Sequence, residues 1–354
     1  METSNINEEL KKGLLERLKC IETKKLSEFH VVLLPDFFID HFLMMNNYEE
    51  EFSKIQEIFK QGGGNVPGIS QRISQGGNAA NTALALAKLG INGHLICKTN
   101  EFGLHILRFF LGKQGVDLTG VKTDGELAIT TAMEFGEQHV NVMIGDTGSV
   151  SDFSYECLSE KDLEKISSSD IVSVLNWTLN RNGSDLAKNV FRYAKKHDTK
   201  TFFDTGDPEH RKHEIPELIE QVLSDINLDI LGLNENELNH YNEGMKLQSD
   251  EDIVKSAISF KEKIHARLDL HTSNFSCSIN HDHTIVPTLK SEKIFRATGA
   301  GDAWNAGNIF AELLNFKDEE RLLFANSIAG CYISSPQPIH PNIEKITHFL
   351  RETL

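Results

Sequence analysis

Short apolar runs alternate along this chain with stretches in which apolar side chains recur every three or four positions. Val31-Val32-Leu33-Leu34 is an unbroken apolar run, the pattern of a strand buried on both faces. Asp170 to Leu175 repeats that pattern, Asp185 to Lys196 carries helical spacing, and Thr201 to Phe203 returns to a strand. Strand, helix and strand in that order predict parallel strands joined by crossover helices. The rhythm runs from Val31 to Thr347 and breaks twice. Asn46 to Gln75 holds a charged helical piece and the loop Gly62-Gly63-Gly64. Gly120 to Asp146 holds two alternating segments, Ile129 to Phe135 and His139 to Ile144, joined by Gly136-Glu137-Gln138. Paired strands there predict a small β-rich lid, with lid segments at about 41–75 and 118–147 of a domain spanning 29–354. Ahead of it, Leu10, Leu14, Leu15 and Leu18 recur at helical spacing within Asn7 to Leu26. This N-terminal extension, residues 1–28, is expected to dock outside the core or on a second copy in a homodimer.

Two of the helical patterns begin at glycine-rich turns. Ala303, Ala306, Gly307, Phe310, Ala311 and Leu314 share one face of a helix that follows Gly299-Ala300-Gly301-Asp302. Such small residues let backbone N–H groups converge on an anion, and the positive end of the helix dipole adds to the attraction. A carboxylate beside a phosphate cradle is wrong for binding alone, so Asp302 fits a base that takes a proton from an attacking hydroxyl. An ordinary N-cap by Thr298 or Asp302 produces the same turn. The second helix follows Gly76-Gly77, carries Asn81, Ala83, Leu84, Ala87 and Leu89, and ends at Gly90.

The stretch Arg296 to Gly307 resembles the C-terminal signature of the ribokinase-like carbohydrate kinases, the phosphofructokinase-B family, through Gly299, Ala300, Gly301 and Asp302. Gly76, Gly77 and Asn81 are similar to the family's N-terminal signature, and Asn234 with Glu237 to its Asn-x-x-Glu motif. The resemblance implies a three-layer, Rossmann-like α/β ribokinase fold and a transferase that moves the terminal phosphate of ATP to a sugar hydroxymethyl group. It implies Asp302 as base, Gly299 to Gly301 as anion hole, and a sugar held by Asp40, Asp36, Gly76, Gly77 and Asn81. On the nucleotide side it implies Asn234, Glu237, His271, Ser273, Ser276, Thr298 and Asn326 as contacts, with Mg²⁺ met by Glu237 through water. Asn234 and Glu237 also fit a helix capping box, which is compatible with that role. Arg296 stands where the family carries an Asp that helps hold a monovalent cation. That argues against a potassium requirement, the guanidinium supplying the charge instead. A nucleoside kinase and a catalytically silent sugar or nucleotide binder are the alternatives, the latter because Arg296, Ala297, Asn100, Ser273 and Ser276 depart from the pattern.

Composition narrows the partners. A formal charge of −16 on 354 residues argues against nucleic acid or an anionic membrane surface, though not against a nucleotide held by helix ends and Mg²⁺. Five scattered cysteines without a Cys-x-x-Cys pair fit reduced thiols in a cytosol. No apolar run reaches membrane-spanning length, and the N-terminus is too polar for a secretory signal.

Overall fold

The computed structural model describes residues 8–21, 23–136, 140–247, 252–289 and 293–353. Among them the strands are β1 (His30–Leu34), β2 (Phe38–Met45), β3 (Ser70–Gly76), β4 (Asn92–Lys98), β5 (Asp117–Lys122), β6 (Ala128–Phe135), β7 (Val140–Asp146), β8 (Ile171–Leu175), β9 (Lys200–Asp204), β10 (Ile230–Asn234), β11 (Arg267–His271), β12 (Phe275–Ile279) and β13 (His283–Pro287). Nine form one sheet in the order β13-β12-β11-β10-β9-β8-β1-β4-β5. The strands from β11 to β5 in that order pair in parallel, and β12 and β13 close one edge antiparallel. Helices cover both faces, which is why the central strands are apolar on both sides. Leu86, Phe310 and Phe324 pack in the core on one face, and Trp177, Phe191 and Tyr241 in the core on the other. The expected three-layer α/β architecture is what the chain adopts.

A second, four-stranded sheet, β3-β2-β6-β7, makes the lid. It contains more strand than the hydrophobic pattern marks. β2 is not among the strands predicted from the sequence, yet it pairs antiparallel with β3 and parallel with β6 along its length. β3 is polar almost throughout, Ser-Gln-Arg-Ile-Ser-Gln-Gly, and owes its extended form to that pairing. β5, placed in the lid from the sequence, instead pairs with β4 at the edge of the large sheet. The hairpin of β6 and β7 is present, and residues 137–139 between them lie outside the described residues.

The N-terminal helix Glu8–Lys19 buries Leu14 and Leu18 against this same chain. Arg17 fixes it, donating to Glu320 at 2.9 Å and to the carbonyls of Leu314 and Asn315 at 3.0 Å, with its guanidinium over the Phe316 ring. Asn7, where that helix was expected to begin, lies outside the described residues.

Candidate active site

Parallel strands deliver their carboxyl ends to one edge of the sheet, and the loops that leave that edge carry the polar residues of the cleft. Asp204 ends β9, Asn234 ends β10, His271 ends β11, and Asn176 follows β8. The helices Asn78–Lys88 and Ala300–Leu313 begin at the same edge. All of these meet in a cavity of about 270 Å³ whose wall includes Asp40, Gly77, Asn81, Asp204, Glu237 and Asp302. Its lid side is closed by Thr130 and Met143. A larger compartment of about 600 Å³ adjoins it, sharing Asp40, Asn81, Thr298 and Gly299 and adding Phe42, Arg72 and Tyr332.

The structure therefore brings residues 77–81 and 302 together. Asn81 Nδ2 donates to Asp302 Oδ2 at 2.9 Å, joining the two glycine-led helices directly. Gly299 sits before its helix with φ of 81°, a conformation that favours glycine. The Ala300 N–H is engaged by the Ala297 carbonyl at 3.1 Å. The open first-turn donors of the helix are thus at Gly301 and Asp302, where no intrahelical acceptor exists.

Asp302 is only 8% exposed, and burial holds its carboxyl well above the ordinary range against the Asn81 hydrogen bond; Asp204, Asp36 and Asp40 add repulsion. Burial likewise raises Glu237, which also faces Asp204, and raises Asp204 in spite of hydrogen bonds from Asn305 and Gly206. Asp40 is pushed up to about 6, by burial first and by Asp36 second. His271, its ring centre 4.8 Å from that of Trp304 and tilted 32° to it, is pushed down to about 4 by burial and is neutral at pH 7. Four carboxylates share this cavity, and no described residue in its wall is Lys or Arg. Such a donor set fits a hard divalent cation with much of its water retained. Asn234 and Glu237 form the reciprocal capping box, Asn234 N–H donating to Glu237 at 2.8 Å and Glu237 N–H to Asn234 at 2.9 Å, while both still line the cavity.

Other sequence-derived candidates lie differently. Asp36 is fully buried and accepts from the N–H groups of Asn78 and Ala79 at 2.8 and 2.7 Å and from Asn176 at 2.8 Å. It anchors the start of the helix that carries Asn81 and is absent from the cavity wall, which corrects its expected contact with a ligand. Gly76 makes room: a Cβ there would lie 2.2 Å from the Asp40 carboxylate. Ser276 is fully buried, and Asn326 is spent on Trp304 Nε1 at 2.9 Å and on the carbonyls of Val286 and Pro287. Ser273 is exposed, with its carbonyl taken by Thr288, so Ser273, Ser276 and Asn326 lie off the cavity wall, while His271 and Thr298 join Asn234 and Glu237 on it. Asn176, Asn305, Arg72 and Tyr332 escaped the sequence reading. A signal for the lid face did exist, since Asp40, Phe42 and Met44 alternate at strand spacing and all face the larger compartment.

The model of the pfkB family of carbohydrate kinases matches residues 45–345. Among solved structures, the chain resembles the ribokinase of Arabidopsis thaliana complexed with ribose and ATP (TM-score 0.73, 20% identity, 91% of this chain and 98% of that one). It also resembles the adenosine kinase of Sinorhizobium meliloti (TM-score 0.71, 17% identity, 92% and 99%) and the fructokinase of Xylella fastidiosa with bound ATP (TM-score 0.71, 16% identity, 91% and 98%). No curated protein sequence matches the chain. A family match over most of its length, on a fold that places a buried aspartate at a glycine-led helix start, makes this chain a member of the pfkB family of carbohydrate kinases, phosphotransferases with an alcohol group as acceptor.

Proposed function

We propose that the chain transfers the terminal phosphate of ATP to a hydroxymethyl group of a sugar. The observation that carries this reading is the meeting of Asn81 and Asp302 across one small cavity beside the first-turn donors of the helix Ala300–Leu313. Asp40 and Asn81 hold acceptor hydroxyls, and the Gly76-Gly77 turn keeps the backbone clear of them. Asp302 takes the proton of the reacting hydroxyl as its oxygen bonds to the terminal phosphorus and the bond to the bridging oxygen of ADP breaks. Charge that grows on the equatorial oxygens is met by the N–H groups of Gly301 and Asp302. Mg²⁺, when bound, offsets phosphate charge, and Asp204, Asn234 and Glu237 are the residues that would hold it, Glu237 through water. ATP as donor is supported by the ATP complexes of the Arabidopsis and Xylella enzymes.

A nucleoside acceptor is the second reading. It is favoured by the compartment of about 600 Å³, whose wall offers Phe42, Met44 and Tyr332 to an acceptor larger than a monosaccharide. Release of ADP, measured across a panel of sugars and nucleosides, separates the two. With the accepted substrate, Asp302→Asn is expected to cut turnover by roughly 10²–10⁴-fold while ADP affinity stays near the wild-type value. Near-normal turnover in that variant rejects the base; binding of an acceptor without ADP release in the wild type leaves a silent binder.

A further inference from the structure

Two helix ends of opposite sign meet beside the proposed phosphate site. The helix Ala300–Leu313 presents its N-terminal donors there, and the helix Asp318–Ile333 ends a short distance behind them. Tyr332, in the last turn of the second helix, backs the turn of the first: a Cβ on Gly299 would lie 3.0 Å from the Tyr332 hydroxyl. The last carbonyls of a helix lack intrahelical donors and carry its negative end. Left alone, that end would oppose a phosphate held in front of it.

Arg296 occupies this junction. Its Nη1 donates to the carbonyls of Tyr332 at 3.0 Å, Ser335 at 2.6 Å and Gln337 at 3.1 Å, and its Nη2 to that of Pro336 at 3.0 Å. One guanidinium thus collects four main-chain oxygens from the helix end and the loop after it, and lies 5.4 Å from the Tyr332 ring centre. A further bond, Phe295 N–H to the Ile333 carbonyl at 2.9 Å, holds the adjoining backbone to the same helix end. Convergent carbonyl oxygens are also what a desolvated monovalent ion takes as ligands. Here the fork of a fixed, always charged side chain already engages them, so an ion at that place would meet both occupied acceptors and a like charge.

We infer that Arg296 is a built-in cation: it ties the phosphate-binding turn to the 332–337 carbonyls, cancels the negative helix end, and takes the place of a monovalent metal ion. It acts as a positioning residue, two positions before Thr298 and three before Gly299. The inference rests on the kinase reading for its consequence in turnover, but its readout in nucleotide affinity is independent of any acceptor.

The test uses the full chain, wild type and Arg296→Ala, in buffers where choline replaces potassium at constant ionic strength. Mg-ADP affinity is measured by calorimetry, turnover by ADP release, and melting temperature alongside. Wild-type affinity and turnover should change less than twofold on adding potassium. Arg296→Ala should lose tenfold or more in both, and potassium or guanidinium, which can enter the vacated carbonyl cage, should restore at least fivefold. A wild type activated several-fold by potassium overturns the inference. So does an alanine variant with wild-type ADP affinity, or one whose loss neither cation reverses. If Arg296→Ala fails to fold, Arg296→Lys decides: a retained charge with fewer donors should weaken ADP several-fold and leave no response to potassium, and a potassium response or unchanged ADP affinity overturns the inference. If no acceptor is phosphorylated by the wild type, the kinase reading fails while the calorimetric comparison still stands on its own.

Discussion

The carboxylates of the cleft are held where their charge is least comfortable, and this has consequences residue by residue. Asp40 sits at about 6 in the folded chain, above its ordinary value of 3.8. A raised carboxylate favours folding at low pH, and that contribution is lost as pH rises through the folded value. The differential amounts to roughly 3 kcal/mol at most. Asp40→Asn is therefore expected to melt at a higher temperature than the wild type at pH 7 and to lose that advantage at pH 4, as followed by thermal denaturation across pH. Asp302 is raised in the same direction, so the acid limb of the pH–rate profile should lie above the range of a free carboxylate, with activity falling as pH drops. A profile flat down to pH 4 contradicts Asp302 as the base. The Asp302 and Asn81 positions were both legible in the sequence because each is tied to a glycine-led helix start. Asn176 and Asn305 were not, because an isolated Asn carries no pattern until the fold sets it beside Asp36 and Asp204.

At the scale of elements, the glycine-led turns act as spacers. Gly76 ends β3 directly over the Asp40 carboxylate, and a methyl group there must displace it, since the contact would be 2.2 Å. Gly76→Ala is expected to raise the KM for the acceptor about tenfold or more with a smaller change in the KM for ATP, a split that initial-rate kinetics resolves. An equal change in both would place the effect elsewhere. The N-terminal helix is a separate element with a separate outcome. Leu14 is fully buried against the main core, so Leu14→Ala should cost about 2–5 kcal/mol in denaturant unfolding and leave kcat unchanged in the folded fraction. Helices and central strands were readable because their periodicity is local. β3 was not, since a polar strand between a cleft and solvent shows no apolar alternation.

For the whole molecule the decisive feature is a lid that reaches over the cleft. Met143 of β7 is 51% exposed and yet closes one side of the small cavity. Met143→Ser should admit water, raising ATP hydrolysis without acceptor relative to phosphorylation of the acceptor. An unchanged ratio of the two products of ATP turnover speaks against the lid as a water shield. By itself the sequence determined the alternation of strands and helices, the two glycine-led helix starts and the aspartate placed in one of them. Each depends on neighbours within a few residues, where apolar spacing and the conformational freedom of glycine act. Only the tertiary structure decided which carboxylates share a cavity, that Asp36 serves the helix and not the cleft, that β5 belongs to the large sheet, and that Arg296 gathers four distant carbonyls. Those outcomes join residues tens to hundreds of positions apart, and desolvation, charge repulsion and main-chain pairing come into play only once the chain has brought them together.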